Sequence, residues 1–229
     1  MLDYLSSIIR GKKNVIYLIG CDHDAAQTYI EGSRPDRTHE EFRKLLFKTI
    51  RNHEPELIIE ELHPDSLKAR NRQSIAFQVA LEMRTPHRFC DPYGEERRSL
   101  EISDGPPCIP PDPSYDSFRN KAMFKYFRHE WPIREEFWIG KLGEDIHRSI
   151  LFLCGAGHRE TLRRRLERRA VEVKVIEKRF GAVDIWKGDF PAYKAAYKDL
   201  RRNGFLPPKG IGSLSSIPEH CATEFPNLE

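Results

Sequence analysis

NVIYLIGCDH, residues 14–23, is the stretch on which the fold turns. Residues 14–19 form a continuous apolar run rich in β-branched and aromatic side chains, closed by Gly20, as expected of a strand buried on both faces. A strand with no polar face belongs inside a sheet that is covered by helices on both sides. The same form returns at residues 150–158, ILFLCGAGH, where the strand at 150–154 stops at Gly155. Each run therefore ends in a Gly-x-x-His turn, Gly20 to His23 and Gly155 to His158.

The segments around these runs complete the pattern. Thr38, His39, Glu40 and Glu41 match a capping box, and Phe42, Leu45, Leu46, Thr49 and Ile50 follow at helical spacing. Residues 56–61 (ELIIEE) read as a second strand. Pro64, Asp65 and Ser66 then open a helical stretch that carries Ile75, Ala76, Val79 and Ala80 on one face. A short third strand is expected at 87–91 (HRFCD). Residues 92–115 hold Pro106, Pro107, Pro110, Pro111 and Pro113, so they read as a lid-like loop. Residues 116–147 are helical in pattern, with a break where Trp131 precedes Pro132. A basic helix is expected around 161–169. Residues 171–176 (VEVKVI) alternate as in a strand near a sheet edge.

Strands alternating with helices predict an α/β fold: a mostly parallel central sheet with helices on both faces. Residues 1–179 form the expected α/β catalytic-type domain. Residues 180–229 are read as a C-terminal extension packed on it, with a short helix near 193–201 and a Gly/Pro/Ser-rich tail.

Bulk properties narrow the function classes. Of 229 residues, 39% are hydrophobic and 32% charged, a composition that supports a buried core. The net charge of +3 is too small for the field of the whole molecule to argue for nucleic acid. No apolar run approaches the roughly 20 residues that span a bilayer, so neither membrane insertion nor secretion is expected. Five cysteines without a C-x-x-C spacing cannot all pair with one another, which favours reduced thiols and a cytoplasmic location.

Counted alone, Gly-x-x-His is weak: 14 glycines and 9 histidines in 229 residues give about half a match by chance. Position is the stronger signal. Each histidine lies just beyond the carboxyl end of a strand, where open parallel sheets bind ligands. Glu60 and Glu61 close the second strand and Asp91 the third, so four strand ends converge on one crevice. Alternation allows only one of the two glutamates to point into it. Two histidines beside carboxylates need pairing or a metal, and such a cluster runs acid–base chemistry or holds a divalent ion that activates water.

Blander readings stand beside these. Glu60 and Glu61 serve equally as the polar exit of a strand, and Asp91 as a turn residue. Asp22 and Asp24 are metal ligands or caps, with capping favoured for Asp24. Cys21, Cys90 and Cys154, all at expected strand ends, offer a Cys/His nucleophile but read better as small apolar core residues. Residues 159–179 hold nine Lys or Arg against four Glu, which is a solvated face or a contact for phosphate.

Strand-Gly-x-x-His, an apolar strand ending in Glu61-Leu62, a helix carrying Arg134, Glu135 and Trp138, and strand-Gly155-Ala156-Gly157-His158 occur in that order. Over residues 14–177 this resembles the superfamily that groups erythromycin esterase, the ChaN haem-binding lipoproteins, TraB/PrgY and the Tiki metalloproteases. The resemblance implies a duplicated strand-GxxH fold with His23, Glu61 and His158 at the core of the site. Arg134 would anchor a substrate oxyanion or orient Glu61, with Asp91 an accessory member. Cys21-Asp22 inside the first motif departs from the small or acidic residue followed by Thr or Ser in relatives. The activity implied is hydrolysis of a small-molecule or peptide substrate, with a divalent metal held by His23, Glu61 and His158 as a variant. Replacing either histidine by Ala should abolish turnover and leave stability nearly intact. A non-catalytic ligand- or metal-binding regulatory module is the alternative, and nucleic-acid interaction through residues 163–169 a third.

Overall fold

Alternation within the apolar runs decides which helices cover which face. The computed structural model describes residues 14–103 and 129–181. In chain order its elements are β1 (Val15–Cys21), a one-turn π-helix (His23–Gln27), β2 (Thr28–Ile30), α1 (Arg37–His53), β3 (Leu57–Glu60) and α2 (Pro64–Ala69). Then come β4 (Arg72–Ser74), α3 (Ile75–Met83), β5 (His87–Phe89), α4 (Glu95–Ser99), α5 (Trp131–Leu142), a 3-10 turn (Gly143–His147), β6 (Ile150–Gly155), α6 (Arg159–Arg168) and β7 (Glu172–Phe180).

Five strands form one parallel sheet in the order β5-β3-β6-β1-β7, so β6, the most uniformly apolar run, is central. Ile150, Phe152 and Cys154 of β6 point to one face, where α5 and α6 bring Trp138, Leu142, Leu162 and Leu166. Leu151 and Leu153 point to the other, against Phe42, Leu46 and Ile50 of α1 and Ile75, Val79 and Ala80 of α3. Each fully buried side chain of this size contributes about 1.5–3 kcal/mol over leaving it in water.

This order creates the crevice. From β1 the chain leaves through α1 on one face, whereas from its neighbour β6 it leaves through α6 on the other. Connections that diverge from adjacent parallel strands open a gap at their carboxyl ends, the usual ligand position in open α/β sheets. Gly20 pairs with Cys154 and Cys21 with Gly155, so the two Gly-x-x-His motifs lie side by side, offset by one residue.

Several local expectations need correction. β1 runs through Gly20 to Cys21 rather than stopping at 19, because the backbone of both residues continues the ladder with β6. The cap of α1 is Asp36, not Thr38. The Asp36 carboxylate accepts from His39 N, and the Asp36 N–H donates to His39 Nδ1. The helical stretch expected from 64 to 80 is two helices with β4 between them. Asn71 turns the chain at φ +50°, β4 pairs antiparallel with β2, and the Ser74 hydroxyl caps α3 by accepting from Phe77 N. The third strand is shorter, His87–Phe89. Short α4 occupies part of the expected 92–115 loop, between Pro92 and Pro106. Trp131-Pro132 marks the start of α5, with Pro132 in the first turn, where a missing N–H costs nothing. β7 is an edge strand as expected, and longer. The prolines of 106–113, the helical reading of 116–128, the extension at 182–229, Cys108 and Cys221 lie outside the described residues.

Candidate active site

The loop after β1 sets the first histidine. A one-turn π-helix begins at His23, with Ala26 N and Gln27 N both donating to Asp22 O. Such wide turns recur at functional sites. Asp22, not Asp24, does the local capping: its carboxylate accepts from Asp24 N at 2.9 Å, while Asp24 pairs with Arg72 at 3.2 Å. Gln27, four residues on, returns to the ring, with its Oε1 2.6 Å from His23 Nδ1.

Glu61 is the hub. It lies one residue past β3, with 2% of its surface exposed. Gly155 N donates to its Oε2 at 2.6 Å and Arg134 to its Oε1 at 2.8 Å. His23 Nε2 stands 3.5 Å and His158 Nε2 3.7 Å from that same Oε1. The two histidines thus converge on one carboxylate oxygen. Gly155 leaves room for this approach, since a Cβ there would sit 3.0 Å from His23 Nε2 and 3.4 Å from Glu61 Oε2, so both side chains would have to give by a few tenths of an ångström.

The two imidazoles are in opposed environments. The His23 ring is about one-third exposed, its side chain at 34%. Burial disfavours its charged form, but the charge and contact of Glu61 and the hydrogen bond to Gln27 outweigh this and raise it to about 9. His158 is buried at the start of α6, edge-on to Trp131 and Trp138 with ring centroids 4.2 and 4.7 Å away. Burial, then the positive charges of Arg134 and His23, pull its pKa well below the ordinary value. Its Nδ1 lies 2.9 Å from Glu135 Oε1. Burial pushes Glu135 up to about 8 against the pull of Thr161 and Arg165.

Arg134 and Asp91 form the floor. Arg134 bonds Glu61 and, through Nε at 3.2 Å and a terminal nitrogen at 2.8 Å, Asp91. Asp91 also accepts from Arg97 at 2.6 Å and from the Trp138 indole at 3.1 Å. Burial opposes ionisation of Asp91, but the two guanidiniums hold its pKa below the usual carboxylate value. Arg134 therefore orients Glu61, and Asp91 orients Arg134.

Glu60 faces the opposite side of the sheet, as alternation requires. Gln27, Ser74 and His87 surround its carboxylate. Gln27, Glu135, Trp131 and Thr161 escaped the sequence-based site. The Arg-Glu-x-x-Trp spacing did signal Glu135, which shares the buried face of α5 with Arg134 and Trp138. Cys21, Cys90 and Cys154 are buried free thiols whose pKa values burial raises, which suits core residues rather than nucleophiles.

Among the described residues no group of three or more His, Cys, Asp or Glu side chains is arranged to hold a metal ion. Glu61 Oε1, the oxygen both histidines face, already has a cation in Arg134 at 2.8 Å. The basic run is largely paired within the molecule: Arg163 with Glu160 and Glu167, Arg164 with Glu160, Arg165 with Glu135 and Glu136, Arg169 with Glu136. Among the described residues no helix is long and apolar enough to cross a membrane.

Fold and site together define a parallel α/β domain with a histidine–carboxylate–arginine cluster at the carboxyl edge of its central strands. Comparison with protein-family models, curated proteins and solved structures finds no match.

Proposed function

We propose that this chain is a hydrolase of the erythromycin esterase or Tiki-like type, acting on a small-molecule or peptide ester or amide. The observation that supports it is one carboxylate, Glu61, shared by two histidines whose pKa values are pushed in opposite directions. Environments that separate two titratable groups in this way divide the acid and base roles between them.

His158, neutral and backed by Glu135, is the base: its Nε2, 3.4 Å from a terminal nitrogen of Arg134, gives up that contact and takes a proton from water as the oxygen attacks the carbonyl carbon. His23, charged at neutral pH and the most exposed member of the cluster, stabilises the developing oxyanion and then protonates the leaving group. Glu61 holds both rings in register and Arg134 holds Glu61.

The test is a panel of esters, lactones and amides with the purified full chain, with and without chelator. His158→Gln and His23→Ala should each lower kcat/KM by roughly 100-fold or more. The expectation that alanine leaves stability nearly intact is corrected for His158: its ring is buried, so His158→Ala empties that site, removes one partner of Glu135 and costs about 2 kcal/mol or more, which makes the glutamine variant preferable. Turnover retained within tenfold in both variants rejects the assignment. Loss on chelation would move the chemistry to a divalent ion. Ligand-dependent shifts of the His23 ring without turnover would favour the binding module.

A further inference from the structure

Glu60 is fully buried, faces away from Glu61 and has no part in the hydrolytic steps. Three donors converge on its carboxylate: Gln27 Nε2 at 2.6 Å, Ser74 Oγ at 2.7 Å and His87 Nε2 at 3.0 Å. Gln27 donates from Nε2 to Glu60 Oε1, so its amide is held with the NH2 towards Glu60 and the oxygen towards β1. Two donors meet that oxygen, the Cys21 thiol at 3.3 Å and His23 Nδ1 at 2.6 Å.

An amide oxygen cannot donate, so a contact this short requires the hydrogen to be on Nδ1. Rotating the amide to suit a bare Nδ1 would turn its oxygen onto the Glu60 carboxylate. The competing pull comes from Glu61 on Nε2, with Arg134 behind it, but at 3.5 Å that contact is longer than a good hydrogen bond.

We propose that Glu60 and Gln27 are positioning residues that lock the neutral His23 ring with its hydrogen on Nδ1, making Nε2, beside Glu61 and Gly155, the nitrogen that exchanges protons. The lock itself follows from the hydrogen-bond chain; its use in turnover rests on the hydrolytic reading above. Residues that fix a histidine tautomer from behind the ring are recognised by the identity of the nitrogen they leave bare.

Nitrogen-15 NMR of the ring, on the full chain at a pH where His23 is neutral, reads the lock directly. The wild type should show a protonated Nδ1 and a bare Nε2. Gln27→Met, close in volume and without an acceptor, should move the hydrogen to Nε2, where Glu61 waits. Glu60→Gln, which lets the Gln27 amide turn over, should give a mixture. In turnover, Gln27→Met should lower kcat at least about tenfold with KM within a factor of about two.

A wild-type neutral ring with its hydrogen on Nε2 overturns the proposal, as do unchanged ring signals in folded Gln27→Met. If either variant fails to fold, the wild-type spectrum still decides the tautomer. A locked tautomer in a chain that hydrolyses nothing on the panel supports the lock and removes the hydrolytic reading alone.

Discussion

Replacing Glu61 by Gln keeps the shape of the hub and removes its charge. The carboxylate of Glu61 accepts from Gly155 N and Arg134 on different oxygens. A glutamine can accept on only one side, so its NH2 must face a donor, and breaking this buried pair should cost about 3 kcal/mol. The effect on His23 is more specific. The rise from 6.5 to about 9 corresponds to about 3 kcal/mol, which water over the exposed third of the ring reduces to about 2. A histidine whose folded pKa is raised contributes stability that is fully present below pH 6.5 and lost as pH rises through about 9. Glu135, raised to about 8, acts in the same sense over the lower part of that window. Wild-type stability from urea denaturation should therefore fall between pH 6.5 and 9, and in Glu61→Gln this fall should shrink by about 2 kcal/mol. Proton NMR of the His23 ring should show its pKa drop by at least about 1.5. A His23 that still titrates near 9 in the variant, or a wild type that gains stability across this window, would refute the pairing.

Three further outcomes follow from the same geometry. Gly155→Ala places a Cβ 3.0 Å from His23 Nε2, which should displace the ring, lower its pKa and cost about 1 kcal/mol in a thermal melt; an unchanged titration would show that the ring is not held there. Asp91→Ala leaves Arg134, Arg97 and the Trp138 indole without their common acceptor and should cost about 3–5 kcal/mol by denaturation at pH 7. Because the Asp91 pKa is lowered, its contribution is present above the ordinary carboxylate value and lost as pH falls through the lower one, so the variant's deficit should narrow in acid. With most of its arginines paired internally, α6 should give no salt-dependent affinity for oligonucleotides by fluorescence anisotropy, and a steep salt dependence would contradict this.

The parallel sheet was legible because its evidence is local. Runs such as 14–19 and 150–154 have no polar face, and a strand without one must be covered on both sides. The positions of His23 and His158 beyond strand ends, and of Glu61 and Asp91 at theirs, followed from the same runs. Helix boundaries were harder. Nothing in the apolar spacing of 64–80 announces the break at Asn71, which depends on β4 finding β2 more than 40 residues away. Asp36 rather than Thr38 caps α1 because of the extended backbone at Asp36, a conformation that composition does not specify.

Period-two alternation could say that Glu60 and Glu61 face opposite sides, but not which one meets the histidines. That choice depends on β6 inserting between β1 and β3, and on α5 covering the face on which Arg134 reaches Glu61. Gln27 was invisible for the same reason: its role exists only because a π-turn folds it between His23 and a glutamate 33 residues away. The sequence by itself determined the strands, their burial and which residues lie at their ends, since these depend on neighbours along the chain. Strand order alone decided which of those residues meet, because it brings together side chains that the chain keeps far apart.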